Sequence, residues 1–302
     1  MHLIELKVHQ FLQEVNRGRF RSPPDLLKKF GESTVANLKR QFEREPDKFS
    51  LRMSNIGRPL CILQMEKNAA NDESYIRQGD AQRFLLGDIF EDVMMFVLHA
   101  AGLNILAEQK PVSLKIAGIT LKGTLDVIID TGDGPEVWDL KSASEYSFKN
   151  KFNQSLEDFI RTDSFGYTNQ LLSYAAAESE SEVTKGNPPV KAGGFIVGNK
   201  SSGEMKVYPF PKEQAHLTQQ ALLSIKHNIK NINSPFQRQF QDIPEKFKKK
   251  LTGNRILGIT CGFCEFNHKC WPGLQLKPQA MSEAKEPKMI YYTHLENTIH
   301  AC

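Results

Sequence analysis

The segment between residues 118 and 141 constrains the fold most, because it predicts two neighbouring strands joined by a tight turn. Residues 118–130 are rich in β-branched side chains, and residues 136–141 follow as a second short strand. Between them, the Thr-Gly-Asp-Gly-Pro stretch at residues 131–135 is typical of a turn. The segment is therefore predicted to form an antiparallel hairpin.

The register of this hairpin decides which side chains meet. If the turn is centred between Gly132 and Asp133, Asp126 on the first strand faces Asp139 on the second. Side chains opposed in this way have Cβ atoms about 4.5–5.5 Å apart. Alternate residues of a strand share a face, so Lys141 lies on the same side as Asp139.

Other segments predict a mixed α/β fold in which helices flank a sheet. Apolar residues recur at helical spacing over residues 80–101, and two later segments are also helical in pattern. Two short strands joined by a Gly/Ser turn lie between those later helices. The predicted helices are 80–101, 165–178 and 212–232, and the two short strands are 193–197 and 204–210. This order predicts a mixed sheet covered by helices.

The ends of the chain are polar and set the expected domain boundaries. Residues 1–50 are mostly helical in pattern, broken at the Ser-Pro-Pro stretch 22–24, and predict a solvated helical appendage. The last twenty residues carry no usable pattern. We therefore expect an N-terminal appendage at 1–50, one main domain at 51–275 and a C-terminal tail at 276–302.

Composition narrows the class of protein. The 302 residues are 40% apolar and 25% charged, as in ordinary globular proteins, and the net charge of +4 suits a nucleic-acid partner. No run of 18 apolar residues predicts a membrane span, and the amino terminus lacks the pattern of a signal peptide. We therefore expect a cytoplasmic protein without a membrane partner.

The paired carboxylates indicate chemistry at a metal ion. Asp126 and Asp139 would repel each other on one face unless a cation lies between them, and magnesium prefers such oxygen ligands. A bound metal activates water and polarises a phosphoryl oxygen, and Lys141 beside it can stabilise the developing charge. The alternative is that Asp126 is exposed, and that Asp139 and Lys141 form a solvated pair.

Two helices carry further candidate residues. Glu91 lies on a small and apolar stripe of the 80–101 helix, where an inward-facing carboxylate needs a partner such as a metal. Gln170 and Tyr174 share one face of the next helix, with Tyr167 one turn earlier. The alternatives are a solvent-accessible glutamate and an ordinary amphipathic helix with a buried tyrosine.

Three cysteines within ten residues predict metal binding rather than disulfides. Cys261, Cys264 and Cys270 have the spacing Cys-x2-Cys-x5-Cys, which holds zinc or an iron–sulfur cluster. A fourth ligand is required. It is either His268, giving a zinc knuckle, or Cys61, which lies 200 positions upstream of Cys261.

The motifs, taken in order, resemble those of RecB-like PD-(D/E)XK nucleases over roughly residues 54–275. Four motifs show this resemblance: Gly-Asp-Ile-Phe-Glu91, Gly-Thr-Leu-Asp126, Asp139-Leu-Lys141 and Gln170-Leu-Leu-Ser-Tyr174. It implies a restriction-endonuclease-like fold, metal ligands at Asp126, Asp139 and the Leu140 carbonyl, and a catalytic Lys141. Gln170 and Tyr174 would complete the site. Many relatives have histidine where this chain has Glu91, which bears on metal preference.

The cysteines are similar to the iron–sulfur branch of that family. A distant upstream cysteine followed by Cys-x2-Cys-x5-Cys resembles the AddB nuclease domain and the CRISPR-associated adaptation exonucleases. The segment Ser54–Cys61 is similar to the one that presents the first cysteine there. The resemblance implies that Cys61 joins Cys261, Cys264 and Cys270 around a [4Fe–4S] cluster that holds a helical cap together. Cys302 has no place in this set.

The function implied is hydrolysis of DNA with Mg²⁺ or Mn²⁺, by an exonuclease that acts on single strands or on DNA ends. Recombination, CRISPR adaptation and phage genome processing are all compatible settings. The alternatives are an endonuclease of the same fold and a non-catalytic nucleic-acid-binding module with a zinc knuckle. Lys246, Lys248, Lys249 and Lys250 form a basic run that either guides DNA or is a solvated patch.

Overall fold

A five-stranded mixed sheet forms the centre of the computed structural model, which describes residues 1–43, 49–70, 80–180 and 190–296. Its strands follow chain order, β1-β2-β3-β4-β5; β3 and β4 run parallel, and the other neighbours are antiparallel. The bounds are β1 Asn104–Ile116, β2 Ile119–Asp130, β3 Pro135–Ala143, β4 Lys191–Asn199 and β5 Met205–Pro209. The prediction of a mixed sheet flanked by helices is confirmed.

The β2–β3 hairpin has the register predicted from its turn. Val127 pairs with Trp138, and Ile128 pairs with Val137. The same register places Asp126 opposite Asp139 at the next position along the strands. The turn glycine Gly132 has a φ of 105°. Because side chains rarely adopt such a φ, glycine at this position allows the short connection that sets the register.

Helices cover both faces of the sheet. The bounds are α1 Leu3–Asn16, α2 Pro24–Phe42, α3 Leu60–Ala70, α4 Asp80–Ala100, α5 Glu145–Lys149, α6 Leu156–Thr162, α7 Tyr167–Ser179, α8 Ala215–Asn231, α9 Ile259–Gly262 and α10 Asn267–Cys270. A short 3-10 turn spans Lys151–Asn153. Helix α7 crosses one face, and α1 and α4 pack on the other. None of the described helices is long and apolar enough to span a membrane.

Alternation along β3 divides its side chains between the two faces. Val137 belongs to the core under α7, whereas Trp138 and Leu140 belong to the core under α1 and α4. Asp139 and Lys141 therefore lie on the face covered by α7. The alternation of apolar residues along β3 thus places Asp139 and Lys141 under α7 rather than under α4.

Helix α1 is part of the core rather than a solvated appendage. Its Ile4 is only 1% exposed, and Glu5 accepts a hydrogen bond from the Val207 backbone N–H at 2.8 Å. The His2 ring packs edge-on against Trp138, with ring centroids 5.1 Å apart. The interleaved charges of this segment concealed a narrow apolar stripe, which is sufficient to attach the helix to the sheet edge.

A second, antiparallel sheet of four strands, in the order β6-β7-β9-β8, lies towards the C-terminus. Its strands are β6 Ile243–Phe247, β7 Lys250–Ile256, β8 Gln275–Pro278 and β9 Met289–His294. The sequence pattern missed this sheet, including the strand within the last twenty residues, and the boundary expected at residue 275 lies at the first residue of β8. These strands are short, and all four residues of β8 are exposed, so alternation gave no signal.

Polar side chains join the strands of this second sheet. Buried Glu245 accepts hydrogen bonds from Thr252 at 2.7 Å, from Asn254 at 2.8 Å and from the Tyr292 hydroxyl at 2.9 Å. These residues belong to three different strands. A buried carboxylate with several donors is well satisfied, so this network replaces part of the apolar core that the sheet lacks.

The close approach of Gly57 to Gly166 gives a test of the fold. Both Gly166 (φ 73°) and Gly18 (φ 71°) are left-handed, but a Cβ at Gly166 would lie 2.3 Å from the Gly57 carbonyl carbon, whereas a Cβ at Gly18 meets nothing. Gly18→Ala should cost about 1–2 kcal/mol in the free energy of unfolding. Gly166→Ala should cost about 1–3 kcal/mol more, because the backbone of the 57–58 segment must move.

Denaturant unfolding of both variants measures this difference. Gly18→Ala is the matched control for the backbone conformation. Equal losses of stability in the two variants would contradict the close packing of the two segments.

Candidate active site and cysteine cavity

The two aspartates predicted to face each other meet beneath α7. Asp126 Oδ2 accepts a hydrogen bond from the Leu140 backbone N–H at 2.7 Å. Asp139 is only 1% exposed. The prediction that these carboxylates share one face of the hairpin therefore agrees with the geometry, and the solvated alternative for Asp139 does not, because the helix above it excludes water.

Lys141 lies beside the aspartates, as strand alternation requires. Its Nζ forms an ion pair with Asp139 Oδ2. The same ammonium group lies 4.7 Å from the centre of the Tyr167 ring. The lysine is thus held between a carboxylate and an aromatic face, with 14% of its side chain exposed.

Helix α7 contributes Gln170 and Tyr174 from one face. Gln170 Nε2 lies 3.4 Å from Asp139 Oδ1 and 3.1 Å from the Tyr174 hydroxyl, to both of which it donates. Gly123 on β2 makes room for the tyrosine, because a Cβ there would lie 2.7 Å from Tyr174 Cε1. The i, i+4 spacing that the sequence suggested therefore brings both side chains to the carboxylates.

Helix α4 brings a third carboxylate, Glu91, into the electrostatic field of the aspartates. Burial and then the charge of Asp126 raise its pKa well above the ordinary value. The structure thus groups Glu91 with Asp126, Asp139 and Lys141, which are separated from it by at least 35 positions in the sequence. The glutamate is not an isolated helix-edge residue.

The pKa values show what this cluster requires. Burial, followed by repulsion from Asp139, raises the pKa of Asp126 to about 7. Burial also raises the pKa of Asp139, although Lys141 opposes the change. Burial would lower the pKa of Lys141, but Asp139 and Asp126 together raise it. The carboxylates are therefore costly to ionise together without a further positive charge nearby.

The donor set suits a hard divalent cation. Carboxylate oxygens on adjacent strands are the ligands such ions prefer, and a cation would offset the repulsion that raises these pKa values. Across residues 1–43, 49–70, 80–180 and 190–296, however, no group of three or more His, Cys, Asp or Glu side chains is already arranged to hold a metal ion. In this structure the Lys141 ammonium group supplies the positive charge next to Asp139.

A cavity of about 870 Å³ leads to this cluster. Asp126 from β2, Glu91 from α4, and Gln170 and Tyr174 from α7 line it. One face of helix α2 lines it as well, with residues at helical spacing: Leu26, Lys29, Phe30, Ser33, Asn37, Arg40 and Gln41. The sequence pattern predicted a solvated appendage for this segment, whereas in the folded chain it forms a wall of the cavity.

Polar contacts attach α2 to α4. Asp88 on α4 accepts a hydrogen bond from Gln41 at 2.7 Å and pairs with Arg40 at 2.8 Å. Asp92, one turn later, accepts from Asn37 at 2.8 Å and from Ser33 at 2.6 Å. An alternation of apolar residues could not have revealed this contact, because the face of α2 that is turned inwards is mostly polar.

The four expected cluster ligands line one small second cavity. Cys61 is the second residue of α3, and the other three cysteines come from the segment that contains α9 and α10. All four are free thiols. His268 does not line this cavity; its ring instead lies 5.5 Å from that of Tyr291. The fold therefore brings the distant Cys61, rather than His268, to the other cysteines.

The thiols of this cavity lie near one another; Cys61 and Cys261 are buried, and Cys264 and Cys270 are half-buried. Burial raises the pKa of Cys61 and Cys261, and it raises that of Cys264 to about 11; neighbouring thiols contribute in each case. Arg238 closes one side, with its guanidinium 3.7 Å from the centre of the Trp271 ring. Soft thiolate ligands in a mostly apolar shell suit zinc or an iron–sulfur cluster, and such a cation would stabilise the thiolates against burial.

Comparison with known proteins shows what this chain is similar to. The family model described as the PD-(D/E)XK nuclease superfamily matches residues 7–271. Among solved structures, the crystal structure of SSO0001 is similar in part: the sequences are 16% identical, the match covers 68% of this chain and 88% of that one, and the TM-score is 0.40. No curated protein gives a significant match.

The raised pKa of Asp126 predicts how stability depends on pH in metal-free protein. A folded pKa of about 7, above the ordinary 3.8, means that the protonated form contributes stability below pH 4 that is lost as pH rises through 7. Three pKa units correspond to about 4 kcal/mol. Asp126→Asn cannot ionise, so it should be more stable than the wild type at pH 8 and should show little gain at pH 4.5.

Thermal unfolding with a chelator at both pH values measures this effect. Asp130→Asn, on the same strand but outside the carboxylate cluster, is the control. Its difference in stability from the wild type should be the same at both pH values. An Asp126→Asn protein that is less stable than the wild type at pH 8 would show that repulsion does not dominate this site.

Proposed function

The chain belongs to the PD-(D/E)XK nuclease superfamily, whose members are nucleases, and we propose that it is a divalent-metal-dependent deoxyribonuclease acting as an exonuclease. One observation carries the proposal. Asp126, Asp139 and Lys141 meet on one face of the β2–β3 hairpin, with Glu91 in their electrostatic field. That set provides both oxygen ligands for a metal and a cation for a phosphate.

In the proposed mechanism Asp126, Asp139 and the Leu140 backbone carbonyl would hold Mg²⁺ or Mn²⁺, and Glu91 would complete the ligand set. Such an ion, when bound, polarises a phosphoryl oxygen and lowers the pKa of water. Lys141, which is paired with Asp139 in this structure, would stabilise the negative charge that develops on the phosphate. Its high pKa keeps it protonated for this role.

Gln170 and Tyr174 act in this proposal as positioning groups. The Gln170 amide lies between Asp139 Oδ1 and the Tyr174 hydroxyl, so it fixes the direction in which the carboxylate points. The phenol remains a hydrogen-bond donor, because burial, followed by the charge of Asp139, raises its pKa. Both groups also face the large cavity, where they are within reach of substrate.

The shape of that cavity supports a single-stranded substrate or a DNA end. Its 870 Å³ fall within the range of sites that enclose a small molecule, about 300–1,000 Å³, which suits a few nucleotides rather than a duplex. Lys29 and Arg40 from α2 line it together with Arg52 and Lys122. These cations can follow the phosphates of one strand as it enters.

We propose further that Cys61, Cys261, Cys264 and Cys270 hold a [4Fe–4S] cluster. The convergence of four free thiols from two distant segments on one cavity supports this assignment over the zinc knuckle with His268. The cluster would join α3 to the segment of α9 and α10. Its role is architectural, because the cysteines do not line the cavity of the carboxylates.

The basic run forms the tip of the β6–β7 hairpin. Lys248 and Lys249 both have positive φ, at 47° and 69°, and occupy the turn between the strands. Lys246 is the penultimate residue of β6, and Lys250 is the first residue of β7. None of these four described lysines lines the large cavity. We therefore propose that the run attracts DNA from outside rather than contacting the strand at the cleaved bond.

Substitutions in the carboxylate–lysine set should abolish cleavage without unfolding the protein. Lys141→Ala should reduce the rate with Mg²⁺ or Mn²⁺ by about 10²–10³, as loss of one charge-stabilising group does, and Asp139→Asn by at least as much. Cleavage of an end-labelled single strand measures both. Asp130→Asn and Lys115→Ala, outside the cluster, are the matched controls. Full activity of either active-site variant would exclude the proposed roles.

The cluster predicts a visible chromophore that depends on Cys61. Protein purified without oxygen should be brown and contain iron and sulfide with little zinc. Cys61→Ser should lose the colour and unfold at a lower temperature, since this ligand closes a very long loop. Cys302→Ser, outside the predicted ligand set, should keep both. Colourless protein with stoichiometric zinc that does not respond to Cys61→Ser would favour the zinc knuckle.

The substrate proposal predicts sequence-independent degradation of linear DNA with a single-stranded end, at rates that fall steeply with salt. Gln170→Ala should reduce cleavage more than binding. Replacing Lys246, Lys248, Lys249 and Lys250 with alanine should weaken binding and flatten the salt dependence. Gel assays on labelled linear strands and covalently closed circles measure this. Efficient cutting of closed duplex circles would assign the protein to the endonucleases instead.

A further inference from the structure

An exposed aromatic ring lies at the start of α7, next to the catalytic face of that helix. The Phe165 ring is stacked on Tyr167, with centroids 5.3 Å apart and an angle of 15° between the planes. Phe165 nevertheless remains 49% exposed. Gly166 between them has a φ of 73°, and this left-handed conformation accompanies the arrangement in which residues i and i+2 stack.

The stack is continuous with the carboxylate–lysine set. The inner ring, Tyr167, lies 4.7 Å from Lys141 Nζ. Lys151 Nζ lies 4.4 Å from the Tyr167 ring and 4.9 Å from the Phe165 ring. Asp163 holds Lys151 in place, with its Oδ1 3.5 Å from Nζ. An exposed aromatic face is thus one ring away from Lys141, with two ammonium groups beside the stack.

This combination matches the chemistry of one nucleotide. A flat aromatic surface stacks on a base, and neighbouring ammonium groups attract the phosphate attached to it. An isolated exposed phenylalanine would require no explanation, because single apolar side chains are common on surfaces. Here the ring already stacks on a parallel partner, Tyr167, and the other neighbour of that partner is Lys141 of the carboxylate–lysine set.

We propose that Phe165 is a base-stacking residue that holds an unpaired nucleotide adjacent to the bond cleaved at the Asp126–Asp139 site. The proposal rests on the proposed deoxyribonuclease function and extends it to substrate selection. In a duplex both faces of each internal base are covered by neighbouring bases, so only an unpaired or terminal base offers a free face to Phe165. The ring would therefore favour single strands and frayed ends over intact duplex.

Binding of a fluorescein-labelled twelve-nucleotide strand, measured by anisotropy with a chelator present, tests the proposal without cleavage. Phe165→Ala should weaken binding about tenfold, in the range of lost base–aromatic stacking. Phe165→Trp keeps an aromatic ring and should bind the strand with wild-type affinity. Phe42→Ala is the matched control, since Phe42 is 59% exposed and lies at the end of α2, and its affinity should equal that of the wild type. Phe165→Leu keeps apolar bulk without a ring and should behave as Phe165→Ala.

A series of strands with one abasic position each identifies the partner base. One abasic position should weaken wild-type binding about tenfold and should cause no further loss in Phe165→Ala or Phe165→Leu, because the same contact is already missing. Three results would each overturn the proposal. The first is that the loss of affinity from the abasic position adds to the loss from the Phe165 substitution at every position of the strand. The others are wild-type affinity in both Phe165 variants, and a wild-type protein that does not bind the strand.

The outcome for the nuclease is separate. Wild-type protein that shows this coupling yet never cleaves DNA with Mg²⁺ or Mn²⁺ would contradict the deoxyribonuclease function and leave the stacking contact established. Protein that cleaves DNA but shows no coupling at Phe165 would contradict the stacking contact alone.

Discussion

The burial of two opposed aspartates on the β2–β3 hairpin is the constraint on which the rest of this site depends. Asp126 and Asp139 are forced onto one face by strand pairing, and burial raises the pKa of both. Lys141 from the same strand offsets part of the repulsion. Burying these charges together lowers the free energy of unfolding, and a divalent cation would offset the remaining repulsion.

Close backbone packing holds α7 over these carboxylates. Gly57 and Gly166 approach so closely that neither position has space for a Cβ atom, and Asn228 donates hydrogen bonds to the carbonyls of Ile56 at 2.7 Å and Arg58 at 2.9 Å. The segment that leads into α3, and hence to Cys61, is therefore attached to the helices beside the carboxylate cluster. This connection explains how a cysteine cavity and a carboxylate cluster share one framework.

Much of this arrangement could be predicted because its causes are local. The turn around Gly132 determined the register, alternation determined the side on which Lys141 lies, and helical spacing grouped Gln170 with Tyr174. Helix α2 as a cavity wall could not be predicted, since its inward face is polar and its partners Asp88 and Asp92 look like solvated residues. The second sheet was missed because its strands are short and are joined by the buried Glu245 rather than by apolar alternation.

The sequence by itself therefore determined the hairpin, the mixed α/β class, the superfamily motifs and the identity of the candidate ligands, because strand period, helix period and turn chemistry act over a few residues. The motif resemblance already implied Cys61 as the fourth cysteine, but only the tertiary structure showed that Cys61 lines the cavity of the other cysteines and that His268 does not. Only the tertiary structure, likewise, decided that α2 lines the large cavity and that Phe165 stacks on Tyr167 beside Lys141. Each of these depends on contacts between segments far apart in the chain, whose distances are set by the packing of whole helices on the sheet.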